Sequence, residues 1–302
     1  MLDQAITGPA NGFLGGPRVG DVPVPPTHGR FTITPLSPTI GGVVEGISLA
    51  DDVDAELFEL LNAALLDWKV LFFRHQDITN EQHLRFAANW GDVESHPFFS
   101  VLHPDEHRPE VVRFEKGENV SGYENMWHSD VSWRAEPSLG SVLRAVEVPA
   151  AGGDTLWADM GLAYDHLTPA MKERLQGMTA IHDWIKSFGA VMAPEMRDTL
   201  RPDFPPSEHP VVRTHPETGR KLLYVNRIFT DHLVGLEPDE SAELLDFLCL
   251  QANFPEYQCR WHWEAGDVAL WDNRSTQHYA VSDYAPQRRV MERITIIGDK
   301  PY

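Results

Sequence analysis

Gln258-Cys259-Arg260-Trp261-His262-Trp263 alternates polar and apolar residues, Gly266-Asp267 interrupts the run, and Val268-Ala269-Leu270-Trp271 resumes an apolar one. Side chains on a strand point to opposite faces with period two, so this stretch reads as strand, turn and strand. The same pattern recurs outward from it. Arg289 to Ile297 alternates to close the chain, and Val142 to Val148, Asp154 to Trp157, Leu222 to Val225 and Val111 to Phe114 read as further strands. Near the N-terminus, Phe31 to Thr34 and Gly41 to Ile47 suggest two short strands joined at a Pro/Gly turn, and Lys69 to Phe73 reads as a buried one. His262 in the first run is expected to be a half-buried strand histidine.

Helical signals are fewer. Leu57, Leu60, Leu61, Ala64 and Leu65 share one helix face. Thr79-Asn80-Glu81-Gln82 has the capping-box form and opens a helix running to about Trp90, Thr168-Pro169 starts another, and Glu237 to Gln251 is amphipathic with an acidic start. Residues 189–210 hold five prolines and no clear period, which predicts a long loop or lid. Many short strands with scattered helices and no regular strand–helix alternation predict a mainly β fold with flanking helices, an antiparallel double-sheet barrel rather than a parallel sheet. Residues 1–29, rich in Gly and Pro, are expected to form a mobile arm, and residues 30–302 a single domain.

Composition narrows the partners. With 25 basic against 45 acidic residues the net charge is -20, which argues against nucleic acid or an anionic membrane. An anionic ligand then needs a local basic pocket. No apolar run approaches the length of a membrane span, and the N-terminus lacks the basic and apolar regions of a signal peptide. Cys249 and Cys259 lack metal-site spacing and read as reduced thiols in the cytoplasm.

The chemistry is centred on Trp127-His128-Ser129-Asp130. On an extended backbone His128 and Asp130 point to one face, where they can hold one metal ion together. His278, in Trp271-Asp272-Asn273-Arg274-Ser275-Thr276-Gln277-His278, would complete two imidazoles and a carboxylate, the ligand set of a non-haem Fe(II) oxygenase. Downstream, Arg289 and Arg293 are four residues apart on one strand and share a face, whereas Arg288 should face away in a surface ion pair. His182, His209 and His215 are expected to be structural or to support the site from behind.

With these motifs in order, the chain resembles the taurine dioxygenase family of Fe(II)- and 2-oxoglutarate-dependent oxygenases from about Thr32 to Tyr302. The similarity is strongest at Trp127 to Val131, Gly152 to Trp157, His209 to Pro216, and from Trp271 through Arg293 to Pro301. It implies a double-stranded β-helix, or jelly roll, and Fe(II) held by His128, Asp130 and His278. It further implies 2-oxoglutarate held through its distal carboxylate by Arg289, assisted by Thr155, with O2 as the second cosubstrate. Arg293 matches the residue that binds the anionic head of the primary substrate, and His96, Phe99, Glu124, Asn125, Phe188 and Phe229 match the substrate pocket. Phe99 stands where taurine-specific members have Tyr, and Glu124 where they have Asn, with Asn125 one step on.

The resemblance therefore implies hydroxylation of a small anionic substrate, coupled to decarboxylation of 2-oxoglutarate to succinate. A sulfonate such as taurine, releasing sulfite and an aldehyde, leads the candidates. An alkyl sulfate, an aryloxyalkanoate or a carboxylate-bearing amino-acid derivative are alternatives, and a non-catalytic anion-binding barrel is a remote one. Relatives are commonly dimers or tetramers, so a homo-oligomer is expected.

Overall fold

A computed structural model of the chain describes residues 29–94, 98, 110–117 and 125–302. The expected N-terminal arm lies outside these residues apart from Gly29. In chain order the first half comprises β1 (Thr32–Pro35), β2 (Gly42–Glu45), α1 (Ala55–Trp68), β3 (Val70–Phe73), α2 (Asn80–Ala87), β4 (Val93–Glu94), β5 (Val112–Lys116), β6 (Ser138–Glu147) and β7 (Thr155–Asp159). There follow α3 (Met160–Asp165), α4 (Pro169–Leu175), β8 (Thr179–His182), α5 (Phe188–Val191), α6 (Pro194–Leu200), β9 (Ser207–Pro210), β10 (Val212–Thr214), β11 (Lys221–Leu223) and β12 (Thr230–Leu233). The chain ends with α7 (Pro238–Leu250), β13 (Gln258–Trp261), β14 (Val268–Asp272), β15 (Thr276–Ala280) and β16 (Arg289–Ile297).

Local chemistry sets the helix boundaries. Asp54 caps α1 by accepting from the Leu57 amide, and Lys69 ends it in the left-handed region at φ 62. Thr79 and Gln82 form the reciprocal capping box on α2, and a 3-10 turn carries that element on to Trp90.

The main sheet has the order β1-β2-β3-β14-β6-β16-β4, with β5 also on β16, and a smaller sheet has the order β13-β7-β15. Neither sheet closes on itself. β2 and β3 are parallel, and the other pairs described in the two sheets are antiparallel. The two sheets face each other through aromatic rings: Phe72 of β3 stacks on Trp261 of β13 at 4.2 Å between centroids, and Trp157 of β7 meets Trp271 of β14 at 5.8 Å. On the opposite face of the main sheet, Leu71, Phe73, Leu270, Ile294 and Ile296 pack with the apolar faces of α1 and α2. Every residue of β3 and β14 is buried as a result, which is why they are continuous apolar runs rather than alternating ones.

Two expectations are corrected. The segment 189–210 is not a long loop: it carries the end of α5, then α6 and β9, with Pro194 at the start of α6, where its fixed φ and missing N–H suit a first helical turn. His262 is exposed rather than half-buried, because β13 ends one residue earlier, and its Nδ1 lies 2.8 Å from Asp154 Oδ1.

Candidate active site

His128 and His278 are brought together by a two-way backbone pair: His128 N donates to His278 O at 3.1 Å, and His278 N donates to His128 O at 2.8 Å. Their rings stand 4.1 Å apart. Asp130 joins them, though not along a strand as the sequence suggests. It lies in a turn, before Val131 at φ 45, and its backbone pairs with a side-chain amide instead. Asp130 Oδ1 is 3.8 Å from His128 Nε2 and Oδ2 is 3.8 Å from His278 Nε2. Ligand atoms of the three side chains all lie within 4.8 Å of one another, and all three residues are buried.

Their protonation suits a metal. Burial pushes the Asp130 carboxyl upward, but Arg293 and the two imidazoles outweigh it and hold it at about 2. Burial, reinforced by the neighbouring His128, lowers His278 to about 3. The Nδ1 of His128 is 2.8 Å from the Met126 carbonyl, which places its proton there and leaves Nε2 as a lone pair facing Asp130. Two imidazole nitrogens and one anionic oxygen, buried and converging, fit a divalent first-row metal ion.

The imidazoles form one end of a cavity of about 90 Å³ between the two sheets. Alternation along β16 sends Arg289, Met291 and Arg293 into it, while Ile294 and Ile296 face the helices. Arg288 turns away as expected and pairs with Glu115 and Glu147 at the surface. Arg289 Nε donates to Gly153 O at 3.0 Å, and its Nη2 lies 3.5 Å from Thr155 Oγ1. Thr155 Oγ1 also accepts from Trp263 Nε1 at 2.9 Å, so the hydroxyl's own proton is left to donate elsewhere. Gly153, at φ 70, leaves room for this arginine: a Cβ there would sit 3.1 Å from Arg289 Cδ.

Sequence reasoning missed several members of the site. Lys116 and Tyr284 line the cavity, and Lys116 is paired in register with Arg289 across β5 and β16, so their side chains share a face. Neither carries a local motif, and only strand register identifies Lys116. Trp263 and Asn273 were also missed as supports of Thr155 and Asp130.

The substrate-side residues divide. Phe229 meets the His128 ring edge-on at 6.4 Å and Phe188 at 5.7 Å, and both belong to an aromatic cluster with Phe98, Trp133 and Trp184. Both are core residues, and Phe229 also borders an imidazole. Arg293, over the Phe114 ring, places Nη1 2.9 Å from both Asp130 oxygens. Asn125 is exposed, and His96, Phe99 and Glu124 lie outside the described residues. His182 and His209 are buried structural groups, held near Ser132 Oγ and the Arg134 carbonyl, whereas His215 braces Asp272.

Residues 32–295 match the family described as "Taurine catabolism dioxygenase TauD, TfdA family". The chain belongs to this family. Among TauD/TfdA relatives, it is 37% identical over 279 residues to an "Alkylsulfatase" of Acinetobacter baylyi, covering 89% of this chain and 86% of that protein. It is 33% identical over 289 residues to an "Alpha-ketoglutarate-dependent sulfate ester dioxygenase" of Pseudomonas putida, covering 90% of this chain and 91% of that one. A crystal structure described as a putative alpha-ketoglutarate-dependent taurine dioxygenase from Burkholderia xenovorans superposes with TM-score 0.77 at 36% identity, over 90% of this chain and 94% of that one. The two-sheet architecture is accordingly the jelly roll of TauD-type enzymes, and the protein is a dioxygenase using Fe(II), 2-oxoglutarate and O2. No helix among the described residues is long and apolar enough to cross a membrane.

Proposed function

We propose that His128, Asp130 and His278 hold Fe(II), that Arg289, Thr155 and Lys116 receive the distal carboxylate of 2-oxoglutarate, and that the primary substrate is an alkyl sulfate ester. One observation carries this reading: a single cavity has the two imidazoles of the donor set at one end, with Asp130 within 4.8 Å of them, cations on β5 and β16, and aromatic and aliphatic walls between. When bound, iron and 2-oxoglutarate supply O2-driven hydroxylation of an unactivated carbon, with succinate and CO2 as by-products.

The chain's residues bind and orient. Arg289 offers a planar fork matched to a carboxylate, pre-aimed by its bond to Gly153 O. Thr155 directs its hydroxyl proton to the same group, and Lys116 adds a second cation opposite Arg289. Arg293 is placed to receive the sulfate of the substrate, and its contact with Asp130 gives it a second task, holding the carboxylate in its ionised form. Trp157, Trp271 and Phe114 exclude water from the space between. Hydroxylation at the carbon bearing the ester oxygen gives an unstable adduct that collapses to an aldehyde and sulfate.

An alkyl sulfate is placed ahead of taurine for a physical reason. Among the described residues the cavity lining contains no Asp or Glu to receive an ammonium group, while its rings suit an alkyl chain. The names of the two relatives agree with this order. The two buried free cysteines accord with a reducing cytoplasm. The dimer or tetramer expected from the resemblance would be read from light scattering.

The test has two stages. Anaerobic addition of Fe(II) and 2-oxoglutarate should give the weak visible charge-transfer absorption of the chelate, and its absence defeats the metal assignment. Substrate-dependent succinate release is then scored over alkyl sulfates of increasing chain length, taurine and aryloxyalkanoates, with sulfate and sulfite assayed together. Sulfate release rising with chain length supports the ester. Faster sulfite release from taurine would replace it with the sulfonate.

A further inference from the structure

We propose that Asn273 is a positioning residue that sets Asp130 in register with the two imidazoles; the inference rests on the triad's being the metal site. Asn273 is fully buried in the turn between β14 and β15. Its Oδ1 accepts from Asp130 N at 2.8 Å, and its Nδ2 donates toward Asp130 O at 3.1 Å, Ser138 O at 3.2 Å and Ser138 Oγ at 2.9 Å. Its own backbone N donates to Leu139 O at 2.9 Å, which moors it to β6.

The need for such a group follows from the backbone. His128 has a strand-like partner in His278, but Asp130 lies in a turn, where no ladder satisfies its peptide. The Asn273 amide supplies the missing partners, its oxygen for the Asp130 N–H and its nitrogen for the Asp130 carbonyl, and so holds the two successive peptide groups that flank the Asp130 side chain. The segment carrying two of the three ligands is thus fastened to the segment carrying the third at three points: the His128–His278 backbone pair, Ser129 Oγ donating to Thr276 O at 2.8 Å, and the Asn273 amide, which alone of the three holds Asp130 itself. An ionised Asp at position 273 cannot donate, an apolar residue can do neither, and Gln is one methylene too long for the same pairing.

Asn273 is separable from the stability of its own turn. That turn is locked independently by Asp272, which accepts from Arg274 Nε at 3.0 Å and Nη2 at 2.8 Å. His215 adds a third bond: its Nδ1 accepts from the Glu217 and Thr218 amides at 3.2 Å, leaving Nε2 to donate to Asp272 Oδ2 at 2.8 Å. Removing the Asn273 amide therefore frees Asp130 more than it frees the turn.

The experiment uses the full chain stripped of metal and titrated with Co(II), read by its visible ligand-field bands, with the melting temperature of the metal-free protein measured alongside. Asn273→Ala should weaken Co(II) binding by about 10–100-fold and alter the bands, the range typical of groups that orient metal ligands. Ser138→Ala, which keeps the Asp130 pair, should stay close to wild type in affinity and spectrum. If Asn273→Ala does not fold, Asn273→Asp preserves volume and the bond from Asp130 N while losing the donor, and should show the same losses. Wild-type affinity and bands in the folded variant, whatever its melting temperature, would overturn the proposal. Failure of the wild type itself to bind Co(II) would instead overturn the triad reading, and this inference with it.

Discussion

Around the imidazoles and Arg289, the rigid end of the site region, position is fixed by directional bonds: the His128–His278 backbone pair, the Asn273 amide on Asp130, and Gly153 O and Thr155 on Arg289. In the aromatic cluster beside His128, the aromatic end of the site region, Phe229, Phe188 and Phe98 hold one another through ring contacts at 5.6 to 5.7 Å. The first kind of contact fails when an atom moves by a fraction of an ångström, whereas ring packing tolerates tilts and slides. Under the proposed function, chemistry common to a family is built by the first means and selection of a particular substrate by the second, so that variation in substrate would cost little at the metal.

The comparison is best broken at its rigid end. Asp130→Ala removes the anionic donor, and metal affinity measured by Co(II) titration should fall by at least about 100-fold, more than a supporting residue costs. Retained affinity would place the metal elsewhere. Arg289→Ala should raise the 2-oxoglutarate concentration for half-maximal chelate absorption by about 10–100-fold, the worth of a charged hydrogen bond. Under the proposed division, Arg293→Ala would act on the anionic substrate and, through Asp130, on the metal; an equal and exclusive effect of both variants on 2-oxoglutarate contradicts it.

A pH experiment probes buried histidines that lie outside both ends. Burial lowers His83 and His209 to about 4, and burial with the adjacent His209 holds His182 well below its ordinary value. All three stay neutral when folded, while in the unfolded chain they take up protons below about pH 6.5. Their contribution to stability is complete above that pH and is lost as pH falls below it, for His83 and His209 until about 4, by roughly 1.4 kcal/mol per histidine per pH unit. The urea midpoint should therefore drop from pH 7.5 to pH 5; an unchanged midpoint contradicts the burial of these groups as neutral species.

The smallest effect is expected at the aromatic end itself. Phe229→Leu removes ring contacts worth about 1 kcal/mol and should alter the relative rates on short and long alkyl sulfates about fivefold, with 2-oxoglutarate binding unchanged. A change in 2-oxoglutarate affinity of the same size would erase the distinction between the two ends.

Much of this was legible in residue order. Period-two runs located β6 and β16, a continuous apolar run after a Gly-Asp turn located β14, the capping box located α2, and the His-x-Asp motif with the distant His278 located the triad. Short elements without a period of their own were not legible. β8, β12 and β15 are strands because partners satisfy their backbones, and 194–200 is a helix although Pro194 reads as a loop signal. Asp130 shows the same limit within the motif, since its side chain converges with the imidazoles through a turn at Val131 and not through strand alternation.

By itself the sequence determined which donors exist and which strand faces they occupy, because alternation along β16 is a local property that places Arg289 and Arg293 together and Arg288 outside. Only the tertiary structure decided that Lys116 stands opposite Arg289, that Trp263 turns the Thr155 hydroxyl, and that Asn273 serves as Asp130's backbone partner. Those contacts join residues more than one hundred positions apart, and their pairing is set by strand register and sheet packing, which no local pattern encodes.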